Sequence, residues 1–113
     1  MIVILRQPAT PEQLTQMSEA FGELLIKLAV DVEREILAGG GELHADCEQV
    51  LLEDGSQQEN IWGADWYPST REVGFEALIN LRPRQQNYGM EIQDRDVRAQ
   101  VEAIVRRIME GIA

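Results

Sequence analysis

The side chains with the richest chemistry in this 113-residue chain crowd into one stretch. The only histidine, His44, and the only cysteine, Cys47, lie beside the carboxylates Asp46 and Glu48. A histidine among carboxylates is a candidate general acid or base, because neighbouring negative charge favours its protonated form. Asp31 and Glu33, a little upstream, join Asp46 and Glu48 as candidate ligands for a hard cation, since Ca²⁺ and Mg²⁺ take oxygens from several carboxylates. Their spacing is not that of an EF-hand loop. No cofactor is expected, with Ca²⁺ or Mg²⁺ as the alternative. Ser18, Ser56 and Ser69 sit in no activating motif, and Gly39-Gly40-Gly41 lacks the Lys and Ser or Thr that follow the glycines of a phosphate-binding loop. A second group of candidates is suited to binding. Trp62 and Trp66 either stack a ligand or pack in a core or interface. Asp65, Asn80, Arg82, Arg84 and Asn87 offer charge and donors, and Arg82 or Arg84 can pair with carboxylates.

These residues need elements to place them. Ile2 to Leu5 reads as a short strand. Thr10-Pro11-Glu12-Gln13 is a helix start, with Thr10 as cap, Pro11 at the first helical position and Gln13 closing a capping box. Residues 24–37 carry both periods. Leu25, Leu28, Val32 and Ile36 have helical spacing, but Ile26, Leu28, Val30 and Val32 alternate with Lys27, Ala29, Asp31 and Glu33, and the strand is the preferred reading. Gly39-Gly40 then reads as a two-residue hairpin loop, with Glu42 to Glu53 returning antiparallel. In that register Asp31, Glu33, Glu35, Asp46 and Glu48 gather on one face beside His44, while Cys47 points into the core as a small hydrophobe. Like charges opposite one another across strands are destabilising, so such a face calls for splayed side chains, arginine partners or a cation.

Asp54-Gly55-Ser56 is a turn, and Ile61 to Tyr67 a strand that places Trp62, Ala64 and Trp66 on one face, opposite Asp65 and Tyr67. Val73, Phe75, Ala77, Ile79 and Leu81 alternate as a further strand. Asp94 caps a last helix whose apolar face is Val97, Val101, Ile104, Val105 and Ile108. The expected fold is α+β, in the order β-α-β-β-β-β-α. About five strands form an antiparallel meander, and two helices pack on one face. The other face is left to water, a partner or a ligand.

Composition bounds what such a domain does. The length accommodates a single domain, residues 1–113, with a sufficient apolar core. The net charge is −10, which opposes nucleic acid, a ligand bound by neutralising phosphates. The charge is uneven. Residues 31–76 hold twelve acids and two bases, whereas residues 82–113 hold six arginines and five acids. No apolar run approaches the ~20 residues of a membrane span. No secretory leader is visible, and the single cysteine fits a reducing compartment, so a cytoplasmic protein is expected.

The strings GGGELHADCEQVLLEDGSQQENIWGADWYP, ALINLRPRQQN and MEIQD resemble a family of small bacterial proteins, frequent in cyanobacteria, catalogued as a domain of unknown function. The likeness runs from about Ile26 to Arg107. It implies a stand-alone cytoplasmic protein of this length and brings no activity, cofactor or catalytic residue with it. Its motifs contain Glu42, His44, Asp46, Trp62, Trp66, Asn80, Arg82, Pro83 and Asn87. Two readings follow. In the preferred one the chain is a non-enzymatic protein-interaction module, a homodimer that binds through its uncovered sheet face and the Arg82–Asn87 loop. In the other it is a small-ligand or divalent-cation-dependent enzyme or binding protein, with a site built from His44, Asp46, Glu48, Asp65 and Arg82.

Overall fold

The apolar alternation that starts at Ile26 does form a strand, and it forms it at the centre of the sheet. The computed structural model describes residues 1–110. In chain order its elements are β1 (Val3–Leu5), α1 (Pro11–Met17), β2 (Ile26–Asp31), β3 (Ile36–Gly39), α2 (His44–Glu53), β4 (Ile61–Tyr67), β5 (Glu72–Gly74) and α3 (Arg95–Val105). A π-helical turn, Arg106–Glu110, continues α3. The strands make one open sheet in the order β1-β3-β2-β4-β5, and every neighbouring pair is antiparallel. The α+β class and the five antiparallel strands are as the sequence indicates.

Both expected helix starts form. Gln13 N–H donates to Thr10 Oγ1 at 3.1 Å, and Thr10 N–H donates to Gln13 Oε1 at 3.0 Å. Asp94 Oδ1 accepts from the amides of Asp96 and Val97. These bonds satisfy amides that the first helical turn leaves without partners.

Residues 32–53 depart from expectation. The reversal after β2 lies at Val32–Glu35, not at Gly39-Gly40. Asp31 supplies it, its Oδ1 accepting from the amides of Glu33 at 2.9 Å and Arg34 at 3.0 Å. Glu35 closes the turn at φ 55°. The glycines serve close packing instead. Gly40 stands at φ 104°, and a Cβ there would collide with the Met1 carbonyl oxygen and lie 2.9 Å from Met17 Cα. Residues 44–53, expected as the returning strand, are helix α2. Cys47, Glu48 and Leu51 are its buried residues, and with His44 they follow the i, i+3, i+4, i+7 spacing of one helical face.

This third helix covers the sheet face that the sequence reading leaves open. On one side Ile26, Leu28, Val30, Leu37, Trp62, Ala64 and Trp66 pack with Met17 of α1 and with Val101, Ile104, Val105 and Ile108. On the other, Ala29, Ile36, Ala38 and Ile61 pack with Cys47 and Leu51 of α2. The sheet is therefore an inner layer between helices, so its central strands are apolar on both faces. That double burial is why Ala29 and Asp31, the intervening residues of the alternation, are fully buried too.

The second departure is at the far edge. The strand expected over Val73–Leu81 ends at Gly74. The chain then forms an irregular hairpin, residues 76–91, closed by the bridges Glu76↔Glu91 and Arg82↔Asn87. It carries two 3₁₀ turns, Leu78–Asn80 and Pro83–Gln85.

Candidate functional site

The acidic hairpin face does not assemble. Its existence depended on residues 42–53 lying as a strand beside residues 26–37, and α2 removes that register. Asp31 is buried at the end of β2, Glu33 and Glu35 are exposed in the turn after it, and Asp46 is exposed on α2, where its Oδ2 accepts the Leu43 amide at 3.3 Å. Among the described residues, no three His, Cys, Asp or Glu side chains converge as a metal-binding group. The proposed ligands Asp31, Glu33, Asp46 and Glu48 thus sit apart.

What α2 does bring together is two polar pairs on one side of the sheet. His44 opens the helix and reaches β4. Its Nε2 lies 2.8 Å from Asp65 Oδ1 and 3.2 Å from the Ala64 carbonyl oxygen. Since a carbonyl oxygen only accepts, Nε2 is the donor and carries the proton. The contact ties the start of α2 to the sheet. No Ser, Thr or Cys side chain among the described residues is hydrogen-bonded to the ring.

One turn further along α2, Glu48 meets Arg82 at 3.2 Å, and their side chains are only 11% and 10% exposed. The pairing of Arg82 with a carboxylate, one of the expected compensations, is present, but within the chain and with a single acid. Burial raises the Glu48 carboxyl above its ordinary value, against the opposing pull of Arg82 and of a hydrogen bond with Gln58. Burial likewise lowers the Arg82 guanidinium, although Glu48 favours its charge. Desolvation exceeds attraction on both partners, as is common for buried ion pairs.

Arg82 is also heavily bonded elsewhere. Nε donates to the Ile79 carbonyl at 2.9 Å, Nη1 to the Gln58 carbonyl at 2.9 Å and to Gln85 Oε1 at 3.3 Å. The guanidinium stacks 4.8 Å from the Trp62 ring centre. A depression of about 430 Å³ opens here between Glu48, Gln58 and residues 78–85. Four of the five N–H groups of Arg82 already have protein acceptors, so it braces the loop and presents little to an anion.

The remaining candidates divide by burial. Trp62 and Trp66 are each 4% exposed and lie in the core facing α3. Asn80 is fully buried. Its Oδ1 accepts the Gly63 amide at 2.8 Å, and its Nδ2 donates to the carbonyls of Gly63, Phe75 and Met90 at 3.0 to 3.2 Å. The side-chain amide thus pairs with β4 as a neighbouring strand would. Asn87, 2% exposed, donates to the carbonyls of Asn80, Gly89 and Glu91, and its Oδ1 accepts the Gln93 amide. Arg84 is exposed. Cys47 is fully buried, and burial pushes its thiol up to about 11, so it stays protonated and inert near neutral pH.

Sequence reasoning missed the outer side of hairpin 76–91. Leu78, Leu81, Tyr88 and Met90 are 71%, 46%, 67% and 44% exposed. They account for four of the seven large apolar residues that are exposed among those described. The signal was present in the density of apolar residues after Gly74, but alternation assigned Leu81 to a strand face and left Leu78 unremarked.

Residues 3–108 match the family described as "Protein of unknown function (DUF5674)", so the likeness extends to β1 and α1, ahead of Ile26. No curated protein and no solved structure matches the chain.

Proposed function

The chain belongs to this family, and from its geometry we propose that it is a non-enzymatic protein-interaction module whose contact surface is hairpin 76–91. One observation carries the reading. Two buried asparagines hold the hairpin from inside with eight hydrogen bonds, while its Leu78, Leu81, Tyr88 and Met90 side chains stay exposed. A loop fixed before binding loses little conformational entropy when a partner docks, and clustered exposed apolar residues mark contact surfaces. The chemistry of the two polar pairs supports the same reading. His44, Asp65, Glu48 and Arg82 are engaged with one another and with the backbone.

Hydroxyl-radical footprinting tests this without naming the partner. Tyr88 and Met90 are expected to label strongly in the dilute purified chain and weakly in the cells that make it, with exposed Leu24 as the unchanged reference. Equal labelling of Tyr88 and Met90 in both settings would remove the proposal. Protection that grows with the concentration of the purified chain identifies a second copy as occupant, the homodimer.

A further inference from the structure

The depression of about 430 Å³ at this hairpin has walls whose chemistry specifies an occupant. Leu78, Leu81 and Pro83 line it together with Arg82, Arg84 and Glu48. Leu78 and Leu81 are 71% and 46% exposed, so two of the hairpin's exposed apolar residues border a single recess. The charges around it do not cancel. Glu48 is paired with Arg82, and Arg82 is already bonded through four of its N–H groups. Arg84 is exposed and takes part in no ion pair among the described residues. Two arginines against one glutamate leave the recess cationic, on a chain whose net charge is −10. Its volume falls in the lower part of the range of small-ligand cavities, roughly 300–1,000 Å³, so it is sized for a few anchoring side chains.

We propose that this recess receives a segment of a partner protein in which large apolar side chains adjoin a carboxylate, the apolar groups lying against Leu78, Leu81 and Pro83 and the carboxylate pairing with Arg84. The inference rests on the reading of the hairpin as a contact surface and adds the chemistry of the occupant. A guanidinium suits the task, because its planar fork donates two parallel hydrogen bonds to a carboxylate. The apolar contacts supply most of the affinity and the arginine the selectivity, since an exposed ion pair by itself contributes little. The net negative charge of the chain opposes an acidic ligand at long range. At physiological ionic strength screening acts over about 8 Å, and Arg84, in contact with the ligand, prevails.

The probes are two short labelled peptides. One carries a pair of leucines flanked by glutamates, and in its counterpart lysines replace the glutamates. Fluorescence anisotropy with the full chain at physiological ionic strength is expected to show tighter binding of the Glu peptide. R84E is expected to weaken that peptide on the order of tenfold, by turning an exposed ion pair into a repulsion, and to strengthen binding of the Lys peptide. L78Q/L81Q is expected to weaken both by more than about tenfold. R95E is the control, since Arg95 is exposed in the first turn of α3 and makes the same change in net charge outside the recess. It leaves the preference for the Glu peptide intact.

All three variants change exposed side chains and are expected to fold, which circular dichroism checks. Equal affinity for both peptides, or equal losses from R84E and R95E, overturns the inference. Binding of octanoate, detected by saturation-transfer NMR, when neither peptide binds would assign the recess to a small amphipathic acid and overturns it too. If neither peptide binds while Tyr88 and Met90 are still protected in cells, the inference fails and the hairpin remains a contact surface. If that protection is absent as well, the contact-surface reading falls with it.

Discussion

Asn80→Ala is the substitution whose effect the structure specifies most fully. The side chain is completely buried and makes four hydrogen bonds, two of them with Gly63. Truncation leaves the Gly63 amide without an acceptor inside the protein, at a cost of about 1–3 kcal/mol. The three carbonyls lose a shared donor. Those of Gly63 and Phe75 belong to buried residues, whereas Met90 is 44% exposed and regains water easily. Adding the small cavity, the expected loss is about 2–5 kcal/mol. For a chain of this length the unfolding entropy is about 0.24 kcal/mol per kelvin, so the melting temperature falls by roughly 8–20 °C. Circular dichroism gives the midpoint, and amide hydrogen exchange at Gly63 reports the particular bond. A drop smaller than about 3 °C, or unchanged exchange at Gly63, would refute the claim that this side chain stands in for a strand.

Two further perturbations follow from the turn after β2 and the end of α2. Glu35 is held at φ 55°, where a Cβ is unfavourable, and its only described bond uses its main-chain carbonyl, which accepts from Arg107 at 2.7 Å. Glu35→Gly therefore keeps that contact and should gain about 1 kcal/mol, the strain relieved outweighing the added freedom of the unfolded chain. The check is a denaturant midpoint, and a lower midpoint would count against strain at this site. Asp54 bonds to Arg6 at 2.8 Å and Arg34 at 2.7 Å, and these hydrogen bonds hold its carboxyl below the ordinary range. A lowered folded-state value means the stabilisation is complete above the unfolded value of about 4 and disappears as pH falls through the folded one. Wild type should exceed Asp54→Asn in stability at pH 7, and the difference should close as pH falls through the lowered folded-state value. A gap that persists in strong acid would show that the contacts do not depend on charge.

The sequence made the element starts and the central strand legible because each had a local cause. Thr10 and Gln13 form a capping box from four consecutive residues, and Asp94 caps by itself. The alternation from Ile26 to Val30 reports burial beside β3 and β4. The failures came from residues whose role is set by distant contacts. Gly40 has the freedom a turn requires, but the approach of Met1 and Met17 is what excludes a side chain there. The actual turn ends on a glutamate in a left-handed conformation, which no turn preference anticipates. Once the glycines were assigned to a loop, the helical spacing of His44, Cys47, Glu48 and Leu51 was obscured by the strand pattern fitted over it. Four of the candidate residues, Asp65, Arg82, Asn80 and Asn87, make specific polar contacts within the chain. The partners of Asp65 and Arg82 lie on α2, which the strand reading of residues 42–53 concealed, and those of Asn80 and Asn87 depend on the irregular hairpin that the strand reading of Val73–Leu81 concealed.

Those contacts explain why an open-edged sheet ends as it does. β5 pairs with β4 only over Asp65–Tyr67, which leaves the first half of β4 without a strand on the edge away from β2. An unpaired edge is a template for association with other chains. Here it is closed by side chains, with Asn80 bonded to both polar groups of Gly63. A Cβ on Gly63 would stand 2.5 Å from Ala77 Cβ, so the close approach of hairpin 76–91 requires glycine at that position. Arg82 fixes the same hairpin to α2 and to the Gln58 carbonyl. Asn80, Asn87 and Arg82 thus secure the inner side of the hairpin beside Ala77 and Ile79, while Leu78, Leu81, Tyr88 and Met90 stay exposed.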